Sequence, residues 1–229
     1  MLMGLTSNFI LHSQEITGVQ LLEKSIGYHD PGDSWPTFSD TFYVTMESPE
    51  NSPRYSEINI DLPNEYFYLK ARRDSSETTY QINKGECLTS LTVPTSSKRT
   101  PCETARLYKD YYTYLYGLPM KLKDPGTYLD PVVRRKKFNE KEYLVLKVTY
   151  DKNVGSDVWF FYFDPHTYAM EVYQFFKGDP ESEGKNTGEY ILLEGEELIQ
   201  GIRIPKIRRW FYNKNNKFLG SDILQKQKQ

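Results

Sequence analysis

The sequence is short of the residues on which many enzymes and metal sites depend. Its 229 residues include three histidines and two cysteines. No H-E-x-x-H, G-x-S-x-G or G-x-x-x-x-G-K-[ST] pattern occurs, so the familiar metalloprotease, hydrolase and phosphate-loop mechanisms lack their parts. We therefore expect no metal and no cofactor, and no catalytic residue can be named from these patterns.

An excess of charge and a long apolar run are also missing. The chain has 29 Lys and Arg against 31 Asp and Glu, a formal net charge of −2. Scattered basic residues supply no footprint for a phosphate backbone, so nucleic acid is not an expected partner. No apolar run approaches the roughly 18 residues of a membrane-spanning helix, so we expect the chain to contain no such helix.

Aromatic residues are plentiful, which favours strands over helices. The chain has 19 Tyr, 12 Phe and three Trp. Short runs of alternating apolar residues, separated by turn clusters, predict about ten strands, one of them over residues 198–204. Closely spaced strands joined by short turns indicate an antiparallel meander, because a parallel sheet needs alternating strands and helices.

Two helices are predicted from their capping residues. Thr17 and Gln20 form the pattern of a capping box. We expect that helix to carry Val19, Leu22 and Ile26 on one apolar face and to end near Gly27. Thr100, Pro101 and Glu103 combine an N-cap, a first-turn proline and an acid at the third position. Gly117 ends this second helix. The helix carries an aromatic and apolar stripe that must pack against another part of the protein and that consists of Leu107, Tyr108, Tyr111, Tyr112 and Leu115.

Residues 158–163 of the strand predicted over residues 158–164 are apolar on both faces, whereas a strand with one face in water should alternate with polar residues. Both of its faces are therefore covered. We predict an α+β fold in which a strongly curved antiparallel sheet carries the two helices on its concave side. Where the helices do not fill that side, a cavity suited to an apolar ligand would remain. The alternative is that the aromatic residues fill a solid core.

The connection after the second helix, residues 117–131, is unusually apolar for a surface loop. Its residues 121–126 could form a lid over the cavity mouth. Alternatively, Met120 and Leu122 could only pin a long connection to the core. With the helix and strand residues that would face the cavity, the candidate ligand-binding residues are Tyr112, Leu115, Leu118, Met120, Leu122, Trp159 and Phe161.

Two features of the sequence bear on the cellular compartment: the amino terminus and the pair of cysteines. Residues 1–14 resemble the end of an export signal without its basic part, and the alternative is the terminus of a cytoplasmic protein. We expect residues 15–229 to form one domain. Cys87 and Cys102 suit one disulfide in an oxidising compartment, although two unpaired thiols are equally compatible with the spacing.

One pair of residues suggests chemistry. His29 and Asp30 could act as an acid/base pair or bind a metal. The same residue types on a Pro/Gly loop more often form an ordinary polar turn that closes a helix. His166 lies in a turn signal and is expected to be exposed.

Four groups of motifs together resemble an uncharacterised family of exported proteins of Gram-negative bacteria, over residues 20–224. They are residues 27–31 with Trp35, residues 114–122 with 124–127, residues 155–159 with 162–165, and residues 204–206 with Trp210 and Phe211. That family's architecture is in turn similar to the half-barrel of the periplasmic lipoprotein carriers, whose curved sheet and helical lid hold acyl chains.

The resemblance implies a non-enzymatic protein of the periplasm or cell envelope that binds a lipid, an acyl chain or another apolar molecule. A module that binds an envelope protein through an aromatic surface is the first alternative. An enzyme built on His29 and Asp30 is the second.

Overall fold

The computed structural model of the chain describes residues 15–91 and 98–225. The predicted export signal, residues 1–14, lies outside the described residues. Two α-helices are present in this part of the chain, α1 (Gly18–His29) and α2 (Pro101–Gly117). Short 3-10 helices lie at Trp35–Thr37 and Met120–Lys123.

Both predicted capping boxes are confirmed. The Thr17 hydroxyl accepts from the backbone N–H of Gln20, and Thr100 does the same for Glu103. Helix α1 continues past Gly27 to His29, because nothing forces the chain out of helical conformation until Asp30. Of the predicted apolar face of α1, Leu22 and Ile26 pack on the core, together with Leu21. Val19 does not: its side chain is 55% exposed.

Thirteen strands form one open antiparallel sheet in the described residues, three more than the sequence pattern predicts. They are β1 (Ser39–Ser48), β2 (Asn51–Asp61), β3 (Tyr66–Arg73), β4 (Ser76–Asn83), β5 (Glu86–Leu91), β6 (Thr127–Leu129), β7 (Arg134–Phe138), β8 (Lys141–Tyr150), β9 (Asp157–Phe163), β10 (Met170–Lys177), β11 (Glu189–Ile199), β12 (Ile202–Tyr212) and β13 (Phe218–Gln225). The strand predicted over residues 198–204 is wrong, because β11 runs on to Ile199 and the chain turns at Gln200 and Gly201.

The sheet consists of two meanders joined at one long-range pairing. Strands β1 to β5 follow one another in space, as do β8 to β13, and β1 pairs with β13 to join the two sets. Helix α2 lies between the two meanders in sequence and packs against β3, β4 and β5. The predicted α+β class with an antiparallel meander and two helices on the concave side is confirmed.

The face of the sheet that carries the helices, here called the inner face, holds two clusters of buried residues. One combines β1 to β4 with α2 and includes Phe42, Phe67 and Tyr112. The other combines α1, the end of α2 and strands β8 to β11, and includes Leu21 and Phe161. Helix α2 contributes to both clusters, so its position determines the space left between them.

The outer face of β8 to β10 is also covered, as the apolar strand at residues 158–164 requires. Phe160 and Tyr162 are buried there with Tyr143, Val145 and Val172. The Phe138 ring lies 5.2 Å from the Tyr162 ring. The cover on this face therefore comes from side chains, including one from β7, and neither α1 nor α2 contributes to the cluster.

Cys87 of β5 and Cys102 in the first turn of α2 form a disulfide, with their Cα atoms 5.8 Å apart. The bond ties the edge strand of the first meander to the amino-terminal end of α2. It thereby fixes the end of α2 that precedes its aromatic stripe.

Candidate ligand-binding site

The aromatic stripe of α2 forms one wall of a cavity of about 640 Å³. Sites for small molecules commonly measure roughly 300–1,000 Å³, so the space is large enough for a ligand. The helix residues in this wall recur at helical spacing and so share one face. They are Leu107, Tyr108, Tyr111, Tyr112, Tyr114 and Leu115.

The opposite wall is the inner face of the sheet. It contains Trp159 of β9, Phe175 of β10 and Trp210 of β12, together with Met46 of β1. Gly220 lies directly opposite Trp210 in the register of β12 and β13 and also lines the cavity. The walls are therefore mainly aromatic and apolar.

The cavity opens at one end of the strands. Residues at this end of four strands line the opening. They are Asp157 and Glu189, the first residues of β9 and β11, Tyr212, the last residue of β12, and Arg54 near the start of β2. Helix residues Leu107 and Tyr111, which are 47% and 39% exposed, lie at this opening. Apolar side chains at an opening to water favour contact with an apolar part of a ligand.

A row of polar side chains crosses the inner face beside the cavity. Arg54 lies opposite Met46, Met46 opposite Asp222, and Asp222 opposite Arg208. Residues directly opposite in antiparallel strands point to the same face, so Arg54, Asp222 and Arg208 share the inner face. The row holds two guanidinium groups and one carboxyl group.

The side chain of Arg54 makes one hydrogen bond within the described part of the chain. Its Nη2 donates to the hydroxyl of Tyr112 at 3.1 Å, and its buried Nε has no partner among these residues. Burial alone would lower the pKa of Arg54, but the hydroxyl of Tyr112 and the carboxyl of Asp222 outweigh it and raise this pKa. The guanidinium is therefore charged, and burial raises the pKa of Tyr112 to about 12, so that this residue stays a neutral phenol.

Arg208 is more completely enclosed. It is 2% exposed, and its Nη1 and Nη2 donate to the carbonyls of Pro205 and Leu115 at 3.4 and 3.3 Å. The guanidinium lies 4.4 Å from the centre of the Tyr116 ring, a cation–π geometry. Arg208 therefore attaches the end of α2 to β12.

Asp222 lies between the two arginines in the row. It accepts a hydrogen bond from the Nε1 of Trp210 at 3.2 Å. Burial raises the pKa of Asp222, while Arg54 and Arg208 act in the opposite direction. Neither arginine approaches a carboxylate within ion-pair distance among the described residues, so one carboxylate compensates two cations only in part.

Two further carboxyl groups lie at the far end of the cavity. Asp157 of β9 and Glu189 of β11 line it there, six strands and four strands from Arg54 in the sheet order. Burial raises the pKa of each, and the nearby Lys177 lowers it. The cavity thus has a cationic end at β2 and an acidic end at β9 to β11.

The structure divides the predicted ligand-binding residues into two sets. Tyr112, Leu115 and Trp159 line the cavity. The other four, Leu118, Met120, Leu122 and Phe161, are buried in the hydrophobic clusters and do not line it. Leu122 is 2% exposed, so the connection after α2 is pinned to the core in this structure and does not form a lid.

Several wall residues are not among those predicted from the sequence. Arg54, Tyr111, Trp210 and Asp222 lie on the cavity although they come from four separate elements. The aromatic stripe of α2 already pointed to Tyr111. Nothing in the sequence pairs Arg54 with Asp222, because their proximity depends on the pairing of β1 with β13.

His29 and Asp30 are both buried and fully used in hydrogen bonds. The Nδ1 of His29 binds the carbonyl of Arg203 at 2.9 Å, and its Nε2 accepts from the backbone N–H of Met170 at 3.0 Å. Asp30 accepts from the backbone N–H groups of Ser34 and Trp35, each at 2.8 Å. These contacts close helix α1 and leave no free nitrogen on His29 for acid/base chemistry. Within residues 15–91 and 98–225, no group of three or more His, Cys, Asp or Glu side chains is placed to hold a metal ion.

A second large cavity, of about 1050 Å³, lies between α1 and strands β7 and β8. Its lining includes the charged side chains of Glu15, Glu23, Lys24 and Arg135. Four of its ten lining residues are charged, against four of the seventeen that line the aromatic cavity, and a charged wall disfavours an acyl chain. This cavity is therefore the poorer candidate for an apolar ligand.

A family of unknown function, DUF6503, matches residues 2–226 of the sequence. The chain belongs to this family. No protein of curated function shows significant similarity to this DUF6503 member in sequence.

Solved structures resemble this DUF6503 member in fold. A LolA superfamily protein from Nitrosomonas europaea has a TM-score of 0.51 at 10% identity, with 92% of both chains covered. A DUF1329 family protein from Desulfovibrio piger has a TM-score of 0.51 at 9% identity, again over 92% of both chains. At such low identity the similarity concerns the fold alone. Among the described residues, no helix of the DUF6503 member is long and apolar enough to cross a membrane.

Proposed function

We propose that this protein is a non-enzymatic binding protein of the periplasm or cell envelope, which holds a lipid, an acyl chain or another apolar molecule between α2 and the inner face of the sheet. The observation that carries the proposal is the 640 Å³ cavity with aromatic walls. Each methylene group moved from water into such a site contributes roughly 0.8 kcal/mol, so a long chain supplies ample binding energy.

The fold agrees with the proposal, but it is weaker support than the cavity walls. An open sheet with helices on its concave side leaves room for a ligand where the helices do not reach. The similarity in fold to a LolA superfamily protein agrees with the likeness of the family's architecture to the half-barrel of the lipoprotein carriers. Because one fold serves many functions, the walls of the cavity remain the stronger argument.

Export is proposed on two grounds. Disulfides persist mainly in oxidising compartments such as the periplasm, and Cys87 and Cys102 are joined in this structure. Residues 1–14 would supply the end of the export signal, and residues 15–229 would fold as one domain. A reduced protein isolated from the cytoplasm of its own cells would contradict this part of the proposal.

The interaction-module alternative requires a filled core and a large exposed apolar patch. The cavity argues against the filled core. Tyr111 and Leu107 are exposed, but they lie at the cavity opening, where a ligand would also cover them.

Native mass spectrometry tests the proposal directly. The protein is expressed with an added export signal, purified from the periplasm and measured both folded and denatured. We expect extra mass on the folded protein that is lost on denaturation, followed by identification of the released molecule by lipid mass spectrometry. If the folded protein carries no extra mass and also fails to bind added palmitate or hexadecanol, the carrier function is wrong.

A further inference from the structure

An apolar ligand does not explain why the cavity wall contains the guanidinium group of Arg54. A guanidinium has five N–H donors and no acceptor. The one hydrogen bond of Arg54 within the described part of the chain goes to the hydroxyl of Tyr112, and its buried Nε has no partner there. Such a group in an apolar wall costs free energy unless an anion completes its hydrogen bonds.

The carboxyl groups that line the cavity neither fill the hydrogen bonds of Arg54 nor neutralise its charge. Asp222 is the carboxyl group closest in the row, but it lies beyond ion-pair distance of Arg54 and also faces Arg208 across β12 and β13. Asp157 and Glu189 are at the opposite end of the cavity, beside Lys177. A net positive charge therefore remains at the β2 end.

We propose that the ligand is an acyl chain with an anionic end group, a carboxylate or a phosphate, and that Arg54 binds this group while the chain lies along the aromatic walls. This inference rests on the proposed function and adds the chemical class of the ligand. A guanidinium can bind either anion through two parallel N–H···O bonds. The acidic end of the cavity sets the orientation, because Asp157 and Glu189 repel an anion at β9 to β11.

Four probes with chains of equal length distinguish the effect of the end group's charge from that of the apolar chain. They are palmitate, hexadecyl phosphate, hexadecanol and hexadecyltrimethylammonium. Affinities are measured by titration of tryptophan fluorescence at low salt, since Trp159 and Trp210 line the cavity. We expect at least one anionic probe to bind about tenfold or more tightly than hexadecanol, the range of one charge-assisted hydrogen-bonded pair. The cationic probe is expected to bind most weakly, and comparison of palmitate with hexadecyl phosphate distinguishes the two sources of the anion.

The variant Arg54→Gln removes the charge and keeps a hydrogen-bond donor for Tyr112. We expect it to lose the anionic preference while hexadecanol binds as before. Arg72→Gln is the matched control, because Arg72 is an exposed arginine of the neighbouring strand β3 that does not line this cavity. Arg54→Lys is expected to retain part of the preference, since it keeps the charge without the planar guanidinium.

A second variant keeps the proposal testable if Arg54→Gln fails to fold. Asp222→Asn keeps an acceptor for the Nε1 of Trp210 but removes the negative charge from the row. We expect it to strengthen binding of the anionic probes several-fold, the opposite direction from Arg54→Gln.

Equal affinities of wild-type protein for palmitate, hexadecyl phosphate and hexadecanol would overturn the anionic inference and leave the apolar carrier in place. Equal losses for charged and neutral probes in Arg54→Gln, with no gain in Asp222→Asn, would also overturn it. Failure of all four probes to bind a protein that also carries no extra mass when folded would overturn the proposed function itself, and this inference with it.

Discussion

The Nε2 atom of His29 accepts a hydrogen bond from the backbone N–H of Met170, 141 residues away in sequence, at 3.0 Å. The Nδ1 atom of the same ring faces the carbonyl of Arg203 and must carry the proton that it donates. The ring is therefore neutral and joins α1 to β10 and β12. A proton on Nε2 would place two N–H groups against each other.

This arrangement predicts a pH-dependent stability. Burial lowers the pKa of His29 in the folded protein, outweighing the carbonyl of Arg203. In the unfolded chain a histidine titrates near about 6.5. As the pH falls below that value the unfolded state binds a proton that the folded state does not, so stability is lost by up to about 1.4 kcal/mol per pH unit.

The measurement is the free energy of unfolding in urea at intervals between pH 7.5 and 5.5. His29→Gln is expected to be less stable at pH 7.5 but to lose most of the slope. His166→Gln, which removes an exposed turn histidine, should keep the slope of the wild type. An unchanged slope in His29→Gln would contradict the prediction.

The disulfide predicts a second stability effect. Cross-linking residues 15 apart stabilises a protein by about 3 kcal/mol in the chain-entropy model. Replacing both Cys87 and Cys102 with serine should lower the free energy of unfolding by about that amount, and the loss should be similar when the wild type is reduced. The double variant should not respond to reductant, since the chain has no other cysteine.

The end of α2 illustrates what can be predicted from the sequence and what cannot. Thr100 and Glu103 determine its start through reciprocal hydrogen bonds, with Pro101 in the first turn, and Gly117 ends it as predicted. The packing of Gly117 against Trp35 could not be predicted, because the two residues come together only in the folded chain. Local signals located the helix, whereas long-range contacts determined what it packs on.

The same distinction applies to the sheet and the site. Strands with alternating apolar residues, such as β3, are visible in the sequence, but β5 is mostly exposed and rich in polar residues, so its pairing with β4 leaves little pattern. The aromatic wall of α2 was predicted from its stripe. The row from Arg54 to Arg208 depends on register across four strands, which no spacing in the sequence reveals.

Gly117 gives a third prediction. A Cβ atom at this position would collide with the indole ring of Trp35 and the side chain of Lys121. We expect Gly117→Ala to lower the free energy of unfolding by about 1–3 kcal/mol, the usual cost of overpacking. Gly27→Ala in α1 is the matched control: no atom lies within 4 Å of its Cβ, and it should stabilise the helix by about 0.5–1 kcal/mol. Equal effects of the two substitutions would contradict this account of Gly117.

The last prediction separates the core from the cavity wall. Leu122, 2% exposed, packs in the cluster under α1, and Leu107, 47% exposed, lines the cavity opening. Leu122→Ala should lower stability by about 2–5 kcal/mol because it leaves a void in packed surroundings. It should not change the affinity for hexadecanol at temperatures where the variant is folded.

Leu107→Gln should behave in the opposite way. Its stability should stay within about 0.5 kcal/mol of the wild type, as for most surface substitutions, while the affinity for hexadecanol falls because a polar group replaces an apolar one at the opening. Val19→Gln is the control, since Val19 is 55% exposed on α1 and does not line the cavity. If instead Leu122→Ala weakened hexadecanol binding and Leu107→Gln did not, the connection after α2 would take part in binding, and the ligand would lie beside Leu122 and away from the aromatic stripe.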